Sequence, residues 1–426
     1  MRAYQIDRPN QEQALQPSFE VLSANGAPVI DIWYGLNQEF GQLGDPQDRI
    51  NILGNARDPD GDDLTVQYKL NDGSFQPVTL GPFNPRLVET GDFNIEIYIA
   101  NLKDGTNSVL ITAEDSQGNQ ASVSVNVTYH AGNSWPIPYT SNWSGSSLIQ
   151  DRGQIIDGKW ILQDGGVRTT QIGYDRLIGI GETSWRQYDV SVPFTVYRDA
   201  GNGGIGVILR WRGHTGSNSP ATNWTEIGAY GYYSFRLNAL VLRLNGTEPP
   251  PSLQKDMGNF LFGTQYMLRM RVEGGDSGTY SLKMWPASSP EPSAWDLVAT
   301  DSTPSIPDIS AGATLLVAHN VDAHFGNVII TPLGSSQTYT LATNVQGKGH
   351  IDRNPAKSTY TFGEQVQVRA TPDSGWVFAG WTGALSGTAN PATLAMDGNK
   401  TVTAIFIREG EPPGGPMMFL PLMIRQ

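Results

Sequence analysis

The stretch GGIGVILRWRGH (Gly203 to His214) and its return as EIGAYGYYSFRLNALVLRLNG (Glu226 to Gly246) decide the fold. Read with a period of two, Ile205, Val207, Leu209 and Trp211 point one way. Gly206, Ile208, Arg210, Arg212 and His214 point the other. Alternation over this length marks a half-buried β-strand. The second segment alternates too: Tyr230, Tyr232, Ser234 and Arg236 share one side, and Tyr233, Phe235 and Leu237 take the opposite one. The polar face of the pair therefore carries arginine, histidine and tyrosine.

The rest of the chain reads in the same style. It has 426 residues, of which 48 are Gly and 28 Pro, and short strand-like runs alternate with Asp-Gly, Asn-Gly and Pro-Gly signals. No long stretch has a helical period, so the expected fold class is all-β. The length implies several domains. A formal net charge of -13 argues against a nucleic-acid partner, because phosphate binding needs a clustered positive surplus. The same charge leaves room for sugars, including an acidic one met by a few arginines. The absence of cysteine removes disulfides, thiolate metal sites and cysteine nucleophiles. No run reaches the roughly 18 apolar residues of a membrane span, and residues 1–20 lack the apolar core of a signal peptide. The modular β build points to an exported bacterial protein, extracellular or at the cell surface; either its leader has been removed, which that build favours, or it is exported by another route.

Five segments are expected. Residues 1–26 form a polar arm, 27–131 a β-sandwich, 132–334 a larger jelly roll, 335–408 a small β module, and 409–426 a Pro/Gly linker with a short apolar tail. The turns Asp60-Gly61, Asp72-Gly73, Asp104-Gly105 and Gly118-Asn119 fall between β-rich runs of the first module, as hairpins require. Asp58, Asp60 and Asp62 crowd one of these turns. Hard cations want several carboxylate oxygens on one turn, so calcium is the one cofactor the sequence raises, with an Asp-rich turn that solvates itself as the alternative.

Three resemblances follow from particular residues. ARDPDGDDLTVQY (Ala56 to Tyr68) and LITAEDSQGNQASVSVNV (Leu110 to Val127) resemble immunoglobulin-like and cadherin-like sandwiches of bacterial surface proteins. The order DGKWIL, YDVSVPFTV, GGIGVILRW, YYSFRL, LVLRL, YMLRMRVEG, YSLKMWP and DAHFGNVII resembles the concanavalin A-like, laminin-G-type jelly roll. TYTFGEQVQVRATP, GWVFAGWTG and MDGNKTVTAIF resemble the internalin-type bacterial repeat domain. The tail FLPLMIR is similar to short C-terminal tails of some secreted bacterial proteins.

The jelly-roll resemblance implies a lectin, a glycosidase or a polysaccharide lyase, and the residues must choose. The Glu-x-Asp-x-x-Glu pattern of the related glucanases is absent. A lyase needs a cation for the uronate and a Tyr or His to move a proton, and Arg210, Arg212, His214 and Tyr232 supply those types, without the family's lyase motifs. Binding without chemistry uses the same face, since aromatic rings stack on sugars and Arg, Asn and His meet hydroxyls. The expected ligand-binding residues are Arg210, Arg212, His214, Trp224, Tyr230, Tyr232 and Arg236, with Trp285 as a further exposed platform and Trp211 in the core. The expected partner is a polysaccharide or cell-surface glycan, with adhesion and self-association as the wider role. The alternatives are a lyase and a structural surface or fibre protein. In the repeat module Trp376 and Phe378 are expected on one strand face, with Val377, Ala379 and Trp381 on the other. His319 and His324, five apart, are the only near pair of histidines.

Overall fold

The computed structural model describes residues 25–410 apart from 84, 224–226, 246–247, 275–277, 302–308, 334–337, 362–363 and 397–398. Almost all of the expected arm, the apolar tail and Trp224 lie outside the described residues. The chain is all-β: its described elements are strands joined by a few short 3-10 turns.

The N-terminal module is a sandwich of two sheets. Val29–Ile32, Arg49–Arg57 and Asp92–Tyr98 form one. Asn37–Phe40, Gln120–Tyr129, Gly105–Asp115, Leu64–Leu70 and Gln76–Val78 form the other, in that order. Alternate residues of both sheets, Ile50, Ile52, Ile95, Val109, Ile111 and Val125 among them, meet in a sealed core. The first sheet is buried on its outer face as well. There Arg49, Asn51 and Asn94 meet the next domain.

That next domain is a jelly roll built on one continuous strand, Tyr188–Trp211. Its first half pairs with Gln265–Glu273 and Ile329–Pro332. Its second half pairs with Ala229–Ser234 and Ala313–Phe325. All of these strands belong to one hydrogen-bonded sheet that folds over into two layers, and the Ala313–Phe325 strand follows the long one from Phe194 to Trp211. Val190, Val192, Phe194, Ile205, Val207 and Leu209 fill the space between the layers with Leu268, Met270 and Leu282. Fully burying each such side chain stabilises by roughly 1.5–3 kcal/mol before entropy is counted. The layers come close at Gly231: a Cβ there would lie 2.7 Å from the Met270 sulfur.

Two departures from strict alternation have one cause. Ile208 pairs with Leu315 and Trp211 with Ala313, so two residues of the long strand oppose one of its neighbour. This is a β-bulge, and Arg210 sits in it with φ +55°. The extra residue turns Trp211 to the side of Ile208, away from Val207 and Leu209, because a one-residue slip flips every later side chain. Trp211 is still fully buried, in a second cluster beneath the outer face. The repeat module repeats the event. Its Trp376–Gly383 strand shifts register between Phe378 and Gly380 against Lys400–Arg408. Trp381 therefore packs 5.0 Å from Phe378, not opposite it, in the core with Tyr360, Val366, Val402 and Phe406.

The sandwich and the jelly roll share a buried polar seam. Arg86 Nε donates to both oxygens of Asp157 at 3.0 Å and its Nη1 to Glu96 at 2.8 Å. Asn94 Nδ2 donates to Asp157 and to the Ile156 carbonyl, both at 2.8 Å. Gln154 Nε2 donates to the Arg49 carbonyl at 2.8 Å, and Gln171 Nε2 to Asp92 at 2.9 Å. Burial pushes the Asp157 carboxyl up to about 6, against the pull of Arg86 and Arg176. Donors from both domains feed this network, so separating the two would leave its buried carboxylates unpaired, which is costly.

Candidate functional site

The outer face of the Ala229–Ser234 sheet is covered at one end by the N-terminal sandwich and open at the other. The open end is a cavity of about 310 Å³. Tyr230, Tyr232, Ser234 and Arg236 form one wall, the four that alternation places together. Tyr230 and Tyr232 stack with centroids 4.1 Å apart and planes 12° from parallel. Asn202, Gly203 and Gly204 of the long strand form the floor. A Cβ on Gly204 would stand 3.1 Å from the Tyr232 ring, so bare backbone keeps the floor open beside the stack.

The opposite wall was not expected. Tyr174, Asp175 and His319 form it, with Arg243 and Asn245 at the rim. His319 Nδ1 lies 2.8 Å from Asp175 Oδ1, and Asn320 Nδ2 lies 3.2 Å from His319 Nε2. That arrangement fits the tautomer with its proton on Nδ1, and it engages both ring nitrogens. Tyr174 meets the imidazole edge-on at 4.7 Å. The wall is braced from the sandwich: Arg176, next to Asp175, donates to the Arg86 carbonyl at 3.2 Å and to Gln171 at 3.2 Å.

The cavity holds its hydroxyls in the protonated state. Among the described residues the buried Tyr230 hydroxyl has no hydrogen-bond partner, and burial raises its pKa well above 10. Burial, helped by the Asp175 charge, pushes Tyr174 up to about 12. Tyr232 is raised by burial and eased back by Arg243. A buried hydroxyl left unpaired costs roughly 1–3 kcal/mol, and a ligand that accepts its proton removes that cost.

The other expected site residues are elsewhere. Arg210 does not face outward; it is fully buried. Its Nε donates to the Arg186 carbonyl at 2.9 Å, and its other nitrogens to Gly274 at 2.8 Å and Ile309 at 3.2 Å. It therefore ties loops together at the edge of the core. Arg212 is exposed, in a separate cleft with Asp45, Asp48 and Glu182. His214 is buried in the domain seam, its Nε2 4.0 Å from Asp157. Burial, and then the charges of Arg86 and Arg49, depress its pKa well below 6.5. Trp285 is 7% exposed and packs in the core, so it is no platform. Trp224 lies outside the described residues. His324 Nε2 is bonded to the Gln163 carbonyl at 2.9 Å, remote from the partners of His319.

The aspartate turn is occupied by its own loop. Asp58 Oδ1 accepts the amides of Asp60 at 2.8 Å and Asp62 at 3.2 Å. Asp60 accepts from the Gly26 amide at 2.6 Å, and Ser116 donates to Asp62 at 3.2 Å. Side-chain-to-amide bonds of this type are what an Asp-rich turn makes for itself. Among the described residues no group of three or more His, Asp or Glu is placed to hold a metal.

No helix among the described residues is long and apolar enough to cross a membrane. No curated protein matches the chain. Among solved structures, the carbohydrate binding module CBM66 from Bacillus subtilis is similar at 13% identity, covering 42% of this chain and 94% of that one, with a TM-score of 0.29. The exoplasmic/lumenal domain of VIP36, in its Ca2+/Man3GlcNAc-bound form, is similar at 14% identity over 43% and 84%, TM-score 0.29. A legume lectin-like domain from Entamoeba histolytica is similar at 10% identity over 42% and 88%, TM-score 0.28. Likenesses at these scores carry no argument, and the architecture rests on the strand pairing itself. Sequence alone places one module: residues 339–410 match the family model of the divergent InlB B-repeat domain.

Proposed function

We propose that the jelly roll binds a glycan, without catalysis, in the cavity between Tyr232 and His319. The observation that carries this reading is the pairing of a tyrosine stack with a partnerless, protonated Tyr230 hydroxyl in one cavity. Sugars offer apolar ring faces to aromatic side chains and hydroxyl oxygens to donors. The volume sits at the small end of ligand pockets, which run roughly 300–1,000 Å³, and suits a chain end or short branch. Asp175, His319 and Asn202 provide acceptors and donors across from the stack.

The wider role in this reading is a protein outside the cell that holds a polysaccharide or a glycan-bearing surface, with adhesion and self-association following from its modular build. The cysteine-free sequence and the bacterial repeat at 339–410 support that location. The lyase alternative loses support, because Arg210, Arg212 and His214 are not in the cavity. Tyr230, which does line the cavity, keeps its proton and so suits a base poorly.

The test is a panel of polysaccharides read at once for retention and for ultraviolet absorbance of unsaturated ends. Retention without absorbance is expected. Rising absorbance would make the protein a lyase, and no retention on any polymer would leave it a structural module.

A further inference from the structure

The hairpin that lines the cavity carries a second aromatic surface at its tip. Ser234 and Arg236 stand in the cavity wall, and Phe235 between them turns to the other side, edge-on to the buried Tyr233 at 5.1 Å. Phe235 meets Phe262 nearly flat, with ring centroids 5.4 Å apart and planes 14° from parallel. Behind the pair, Phe260 contacts Phe235, Tyr233 and Tyr266. Leu261 and Phe262 belong to the loop between Gln254–Asp256 and Gln265–Glu273 and are 58% and 51% exposed. Nowhere else among the described residues are two consecutive large hydrophobic side chains both exposed, and exposed apolar surface of this kind marks a binding region. A ring stacked on one face and half exposed overall presents its other face to solvent. The loop is pinned: the Leu261 amide donates to the Tyr266 hydroxyl at 3.1 Å and the Gly263 amide to the Val196 carbonyl at 2.8 Å. A pinned platform costs a ligand little ordering. It is also continuous with the cavity, because the Phe235 amide donates to the carbonyl of Gly203 in the cavity floor at 2.9 Å.

We infer that Phe262 forms a second sugar subsite, so that the ligand is an oligosaccharide whose end enters the cavity and whose next units cross the hairpin tip onto this ring. This rests on the glycan reading and extends it. The apolar face of a sugar ring lies flat on an aromatic one, and Phe262 is held flat with one face outward. A second copy of the chain or a lipid surface would bury Leu261 and Phe262 together with no use for the parallel stack. The stack and its continuity with the cavity both favour the sugar.

The experiment titrates the full chain with cello-, xylo-, manno- and laminari-oligosaccharides, each series running from dimer to hexamer. In at least one series the hexamer is expected to bind about threefold to tenfold more tightly than the dimer, the worth of one aromatic contact. Phe262→Leu stays apolar but loses the flat ring; it is expected to remove that gain and leave the affinity of the dimer unchanged. Phe262→Trp is expected to keep the gain. Both variants are expected to melt with the parent, since the side chain is half exposed. Tyr232→Ala is expected to weaken dimer and hexamer alike. A dimer bound as tightly as the hexamer, or a gain that Phe262→Leu leaves intact, would overturn the inference and leave the glycan reading standing. So would a Phe262→Leu variant whose only change is lost self-association or lost binding to phosphatidylcholine vesicles. No binding by any member of any series would overturn both.

Discussion

Residues 229–236 and residues 205–212 are neighbouring stretches of one sheet, and the same rule of alternation applies to both. In the first it holds to the end: Tyr230, Tyr232, Ser234 and Arg236 line the cavity while Tyr233 is sealed in the core. In the second it holds only as far as Leu209. One inserted residue then carries Arg210 inward and moves Trp211 to the other face. Two arginines that look equivalent in the sequence thus end as opposites. Arg236 is a solvent-facing cation at the rim of a cavity, and Arg210 is a buried clamp on three carbonyl groups. Residue type alone did not distinguish them; a local change of register did.

Truncating the two arginines gives the largest contrast. Arg210→Ala orphans buried carbonyls at roughly 1–3 kcal/mol each, so unfolding free energy is expected to fall by more than about 3 kcal/mol, as read from denaturant midpoints. Arg236→Ala is expected to stay within about 0.5 kcal/mol of the parent and to alter only ligand binding. If the two variants lose the same stability, the bulge is not where we place it.

Within the hairpin itself, Gly231→Ala pushes a methyl against Met270 and Leu282 and is expected to cost about 1–3 kcal/mol by overpacking. A thermal midpoint unchanged from the parent would mean that the sheets are not in the close contact described.

The seam supplies a pH test. His214 is held neutral in the folded state, so the unfolded chain binds its proton first. Its contribution to stability is present above the unfolded value near 6.5 and is lost as pH falls through that value toward the depressed folded one, by up to about 1.4 kcal/mol per pH unit. Asp157 works in the opposite sense: raised to about 6, it adds stability as pH falls through 6 toward its unfolded value. His214→Gln removes only the first effect. Chemical denaturation at about pH 7 and about pH 5 is expected to show the variant losing less stability on acidification than the parent. An identical pH dependence would contradict the buried, neutral placement of His214.

Tyr230→Phe is expected to change stability little, and in the favourable direction. It deletes a buried hydroxyl that has no partner among the described residues, so stability is expected to hold or rise by up to about 1 kcal/mol, while glycan affinity falls. A loss of stability would show that the hydroxyl serves the fold.

The sequence carried the all-β class and half of the cavity because both follow from the two-residue period of a strand. It missed the other half because Tyr174, Asp175 and His319 come from distant stretches joined only by sheet order. One signal was present: His319 follows Leu315 and Val317 at spacing two, which puts it on the face of Ile208 once that strand is paired with Tyr188–Trp211. The bulges at Arg210 and before Gly380 leave no comparable trace. Nor does the seam, since Arg86, Glu96 and Asp157 look like ordinary surface charges until two domains close over them.

The central claim is that the hairpin face holds a sugar. Its most direct test is retention of the parent chain and of Tyr232→Ala on the same set of immobilised polysaccharides, with thermal midpoints measured in parallel. The account predicts that at least one polymer retards the parent, and that the variant loses that retention at an essentially unchanged midpoint. Equal retention by both proteins, or by neither, would contradict it.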